Sequence, residues 1–117
     1  MNMTTIIDYQ KAICEKYKAP YQECDLDLKV GISPNVKNGE RPLNGLRIRE
    51  ENGTSGWYIW AGEWSNDPDF FVPLHGKHLT EWADILIPYL GLPEGWRFLI
   101  AEDYEDVWED KSLLNDK

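Results

Sequence analysis

Leu46-Arg47-Ile48-Arg49, the turn signal Asn52-Gly53, and the run Trp57-Tyr58-Ile59-Trp60 decide the fold of this chain. Apolar residues alternate with arginine in the first stretch, and Asn-Gly supplies the positive φ angles of a tight turn. The aromatic and β-branched run that follows is strand-forming, so the segment predicts a β-hairpin. Strand alternation sends neighbouring side chains to opposite faces, so either Trp57 and Ile59 or Tyr58 and Trp60 point away from the main core. The outward pair is expected beside Arg47 and Arg49, where a guanidinium over an indole contributes about 0.5–1 kcal/mol.

Upstream of the hairpin, Leu26, Leu28, Val30 and Ile32 alternate with Asp27, Lys29 and Gly31, the period of a strand with one buried face. Ser33-Pro34 ends it. Residues 35–44 contain Asn38-Gly39 and Pro42, have no period and read as a loop. Nearer the N-terminus, Thr5 followed by Asp8 opens a helix in which Ile6, Tyr9, Ile13 and Tyr17 recur at helical spacing until Pro20 stops it.

Downstream, residues 63–73 form a polar, aromatic loop in which Pro68 and Pro73 forbid much regular structure. Leu79, Trp82, Ala83, Leu86 and Leu90 then follow helical spacing, with Pro88 kinking or ending the helix and Gly91 as its left-handed cap. The stretch from Trp96 to Ala101 has almost no polar face, which predicts a central strand covered on both sides. Residues 104–108 return beside it after a Glu102-Asp103 turn. Strands interrupted by one helix favour an α+β fold: a mostly antiparallel sheet of about five strands with two helices packed on it. Because a helix precedes residues 96–101, a parallel pairing of that strand stays open.

A chain of 117 residues, 42% hydrophobic and 28% charged, can bury one core without metal or disulfide, so a single domain over residues 1–117 is expected. No apolar run approaches the roughly 18 residues of a membrane span, and the start resembles no secretory signal. A cytoplasmic location follows, with Cys14 and Cys24 as reduced thiols and Asn52-Gly53-Thr54 serving as a turn, not a glycosylation site. Residues 1–60 hold eight acids and eight bases, so the remainder, with thirteen acids against four bases, carries the whole net charge of -9. The same half holds all six tryptophans, from Trp57 to Trp108. Phosphate would be repelled by such a charge, which argues against nucleic acid. A one-signed field combined with aromatic contact area suits capture of a basic macromolecule.

The chemical motifs are weak. His75 and His78 lie near Asp69 and could serve a small metal-dependent enzyme, but helical metal pairs usually lie four apart, and no metal or cofactor is assigned. The acids of Glu102-Asp103-Tyr104-Glu105-Asp106 could act as general acid and base, yet such a run is usually a solvated face. No nucleophile elbow, cysteine with a neighbouring histidine, or phosphate loop is present. Trp57 or Trp60, Trp82 and Trp96 sit on strand and helix periods and read as core, whereas Trp64 and Trp108 sit among acids. Partner contact is therefore assigned to Glu63, Trp64, Asp67, Asp69, Phe70, Tyr104, Glu105, Asp106 and Trp108. The plain alternative is that Trp64, Phe70 and Phe71 fold inward to plug the sheet edge. A peptide-binding adaptor using a strand edge is a further reading.

Several motifs together resemble the thirty-third family of immunity proteins in bacterial polymorphic toxin systems. They are Ser33-x-x-Val36-x-x-Gly39-Glu40-x-Pro42, Arg49-Glu50-Glu51, Ser55-Gly56-Trp57, Gly62-Glu63 and Asp67-Pro68-Asp69. The segments 90–100 and 104–108 look like an extension found in that group, so the resemblance covers roughly residues 28–114. Where the family shows Gly-Asp-Glu, this chain has Gly62-Glu63-Trp64 and lacks the first acid of the pair. The resemblance implies a cytoplasmic protein that binds and neutralises a toxin, with no catalytic residues.

Overall fold

The computed structural model describes residues 3–115. Its elements are α1 (Met3–Tyr17), β1 (Lys29–Ile32), β2 (Leu43–Arg47), β3 (Thr54–Ala61), β4 (Val72–His75), α2 (Leu79–Ala83), β5 (Trp96–Ala101) and β6 (Tyr104–Glu109). A run of 3-10 turns, Asp84–Gly91, follows α2, and shorter ones cover Pro34–Val36, Gly76–His78 and Lys111–Leu114. The six strands form one sheet in the order β4-β1-β3-β2-β5-β6, antiparallel except for β1 beside β3. The protein is thus α+β, with two helices and one strand more than the five expected.

The hairpin forms as read. Asn52 and Gly53 adopt φ of 54° and 82°, and β2 pairs with β3 through Leu46 opposite Tyr58 and Arg47 opposite Trp57. The parallel pair is not at β5, which is antiparallel to both neighbours, but at β1 and β3. Ser33 and Asn35 bind the end of β1 to β3: Ser33 N donates to Ile59 O, and the Asn35 amide donates to Ala61 O. The additional strand, β4, was hidden by Pro73. It lies at the sheet edge, and Leu74 and Val72, not Pro73, align with the core residues Val30 and Ile32. A proline is tolerated on such an edge, where its missing N–H faces outward.

One face of the sheet packs on α1 and the 84–91 turns. Val30, Ile32, Leu43, Trp57, Ile59, Phe98, Ile100 and Val107 meet Ile6, Cys14, Leu86 and Leu90 there, all buried. The phase of β2 is the reverse of the sequence reading. Arg47 is fully buried and Leu46 turns to the opposite face, because five main-chain carbonyls, buried or part-buried, converge on the guanidinium. Arg47 donates to Ser55 O, Gln22 O, Leu90 O, Leu92 O and Glu23 O over 2.8–3.4 Å, and its guanidinium lies 5.7 Å from the Trp57 ring. The Arg47 guanidinium therefore lies over an indole in the core and not outside it, and burial lowers its pKa.

Helix α1 also turns differently from the periodicity. Gln10 and Cys14 are buried, whereas Tyr9 is 51% exposed. Gln10 Nε2 donates to Ile87 O at 3.1 Å and Cys14 Sγ to Gly91 O at 3.3 Å, so polar groups at helical spacing hold the 3-10 turns that lack a regular helix's hydrogen bonds. Gly91 is not a left-handed cap: a Cβ there would lie 2.8 Å from Gln10 Cβ and from Tyr21 Cε1, so the glycine permits close approach of α1. The second helix breaks at Ala83, where φ is −165°, five residues before Pro88. Leu26 lies in a turn, where Asp27 N and Leu28 N both donate to Asp25, so the first strand starts only at Lys29. The strand beginning at Leu43 shortens the loop expected through residue 44. β5 has helices over one face only: Phe98 and Ile100 are buried there, while Arg97 and Leu99 are part-exposed on the other.

Candidate functional site

Residues directly opposite in adjacent strands share a face. The registers therefore align Tyr58, Leu46, Arg97 and Trp108 in one row across β3, β2, β5 and β6, and Trp60, Asn44, Leu99 and Asp106 in the next. Ala101 and Tyr104 complete the face at the far end of β5 and β6. No described helix covers these rows. Among the described residues, Trp64, Tyr104 and Trp108, at 51%, 59% and 37% exposed, are three of the five most exposed large hydrophobics, and Tyr9 and Ile85 lie on helical segments.

The loop of residues 62–71 folds over the β3 end of this face. Trp64 meets Trp60 edge-on at 5.0 Å and 86°, and packs on Phe71 at 5.4 Å and Phe70 at 6.1 Å. Phe71 reaches Tyr58 at 5.3 Å. Trp60 is thereby reduced to 5% exposure although it faces away from the helices, so both Trp57 and Trp60 are buried, on opposite sides of β3. The aromatics of the loop cover the sheet face and do not plug its edge. Short local bonds hold the loop: Trp64 Nε1 donates to Asn66 Oδ1, Asp67 N to Ser65 Oγ, and Asp69 N to Asp67 Oδ1. Glu63, Asp67 and Asp69 are exposed around it. At the other end, Arg97 lies 5.8 Å from the Trp108 ring and 3.2 Å from Asp110 Oδ2, which orients that indole.

Of the residues assigned to partner contact, Trp64, Phe70, Tyr104, Asp106 and Trp108 come together on this face, with Glu63, Asp67 and Asp69 on the loop beside it. Glu105 does not. Its alternation carries it to the helix side, where Oε2 accepts from Lys16 Nζ at 2.7 Å and Tyr17 OH at 2.5 Å, and Oε1 accepts from Tyr89 OH at 2.5 Å. The Lys16 ammonium, then the Tyr17 and Tyr89 hydroxyls, hold its carboxyl down from 4.5 to about 2. Since the folded pKa lies below the unfolded value, this contribution is complete above the unfolded pKa and is lost as pH falls from 4.5 towards 2. Denaturant titrations across that interval should show Glu105→Gln losing less stability on acidification than the parent, after starting about 1–2 kcal/mol lower at neutral pH. Equal pH dependence of the two proteins would show that the cluster does not stabilise the fold.

Residues with metal-binding or nucleophilic chemistry lie elsewhere. His75 is on β4, and His78 Nδ1 is 3.3 Å from Glu81 Oε2; among the described residues no group of three His, Cys, Asp or Glu is placed to hold a metal ion. Cys14 and Cys24 are free and buried, and burial pushes both thiols up. No described helix is long and apolar enough to cross a membrane.

Sequence periodicity left Tyr58 with Trp60 as one of two possible outward pairs, and missed Leu46, Arg97 and Leu99 as members of this face. Their signal was present as the alternate positions of β2, β3 and β5, but it needed the correct phase of β2.

A helix-backed sheet whose opposite face carries a self-held aromatic loop and part-exposed aromatics makes this a small α+β protein with an aromatic, acid-rimmed face. Residues 9–110 match the Imm33-like domain, and the chain belongs to that family. The match reaches into α1, further towards the N-terminus than the motifs alone extended. No curated protein and no solved structure gives a significant match.

Proposed function

We propose that this protein binds and neutralises a cognate bacterial toxin by occluding it with the helix-free face of the sheet, acting in the cytoplasm of the cell it protects. The observation that carries this reading is the convergence of Trp64 and Phe70 with Tyr104, Asp106 and Trp108 on one side of the sheet, from stretches some forty residues apart. The family membership supports immunity as the biological role. Three strand spacings, about 14 Å, separate β3 from β6, a width compatible with a specific interface of about 800 Å² per partner. Exposed acids around the loop and the net charge of -9 favour a basic toxin, such as a nuclease, which they would draw in before the aromatics are desolvated.

Co-expression with the C-terminal domain of a toxin encoded beside the gene tests the reading. Cells should survive with this protein and die without it, and the purified pair should associate more slowly as salt rises. Death in both cases, with no complex between the purified proteins, would remove the reading.

A further inference from the structure

Among the described residues the sheet ends at β6, whose one strand partner is β5. In an antiparallel ladder the main-chain groups of alternate residues point to opposite sides. Asp110 N donates to Gly95 O, so residues 104, 106 and 108 spend their main-chain groups on β5, and Glu105, Val107 and Glu109 direct theirs outward. The Val107 N–H confirms this direction. It donates at 2.9 Å to the carboxylate of its own neighbour, Asp106, which lies over the open edge.

We propose that this edge receives an extended segment of the toxin as a seventh strand, with the Asp106 carboxylate moving from Val107 N–H to a lysine or arginine of the incoming strand. The inference rests on the toxin-binding reading and adds the mode of capture. Charge decides the occupant. Two copies of β6 paired about Val107 would set Glu105 opposite Glu109. Shifting the register sets Asp106 opposite Asp106 or opposite Asp110, and like charges directly opposite are destabilising. A basic strand has no such conflict. On the helix-free face β6 presents Tyr104, Asp106 and Trp108 in turn, which calls for an apolar, a basic and an apolar residue at alternate positions of the partner. In the free protein the same acids guard the edge against indiscriminate pairing.

Amide hydrogen exchange on the full-length protein, alone and bound to the recombinant C-terminal domain of the neighbouring toxin, reads the pairing directly. Glu105, Val107 and Glu109 should slow at least about tenfold on binding, while Tyr104, Asp106 and Trp108, already bonded to β5, change little. Glu109→Pro removes one outward N–H at a position an edge strand tolerates, and should weaken binding about tenfold or more; Glu109→Gln keeps the N–H and should cost at most about threefold. Uniform protection of both sets, or equal losses from the two variants, would overturn the strand pairing while leaving toxin binding intact. A self-associated free protein dispersed by Glu109→Pro would also overturn it, in favour of a second copy. Failure to form any complex would overturn both this pairing and the toxin reading.

Discussion

Arg47→Ala should lower the stability of the protein by about 3–5 kcal/mol, the largest loss expected from any single substitution considered for this chain. The side chain is fully buried and meets no carboxylate at hydrogen-bonding distance; its donors go to carbonyls of residues 22, 23, 55, 90 and 92. Residues 22 and 23 lie between α1 and β1, and residues 90 and 92 lie where the 3-10 turns give way to the approach to β5. One guanidinium thus ties two irregular connections to the hairpin. Truncation leaves Leu90 O with its Trp57 Nε1 donor but strips the other carbonyls, and each group left buried and unsatisfied costs about 1–3 kcal/mol until water or rearrangement relieves it. Arg47→Met should fare little better, because replacing a buried cation by an apolar residue is tolerated only when its acceptors leave with it. Arg47→Lys should recover part of the loss, since an ammonium has three donors at one point and cannot span the five carbonyls. Denaturant midpoints at unchanged slope measure these differences, and a loss below about 1 kcal/mol for alanine would refute the role.

Trp64→Ala combined with Trp108→Ala should abolish protection against the toxin in cells. Indoles that a partner desolvates fully typically cost about 2 kcal/mol or more each when truncated, or roughly thirtyfold in affinity. The two sit at opposite sides of the face, far enough apart for their losses to add, so the double variant should bind about a thousandfold more weakly. Trp64→Ala also removes ring contacts with Trp60, Phe70 and Phe71, which should cost about 1 kcal/mol of stability. Calorimetric titration with the toxin domain, beside a denaturant curve, separates loss of contact from loss of fold. A folded double variant with undiminished affinity would place the interface on another surface.

Local pattern was enough for the hairpin. Asn52-Gly53 demands positive φ in its own backbone, and the strand-forming residues around it need only each other to pair. The α+β class, the exposure of Trp64 and Trp108, and the immunity-protein family were legible for related reasons: period, composition and motif are all local in the chain. What lay beyond local pattern was which side of each element is inside. An arginine on an alternating strand normally marks the solvent face, and only the carbonyls of residues 22, 23, 90 and 92, brought in from distant segments, make burial of Arg47 favourable. Gln10 and Cys14 replaced Tyr9 in the core for the same reason, since their acceptors, Ile87 O and Gly91 O, stand 77 residues away in the chain. That phase of β2 then carries Leu46 to the aromatic face, and alternation along β6 removes Glu105 from the acids assigned to a partner and commits it to α1 and Tyr89. Sequence by itself determined which residues could pair and turn, and which family the chain belongs to. Tertiary structure decided which of them share the helix-free face, because the choice of face depends on hydrogen-bond acceptors contributed by segments remote in the chain.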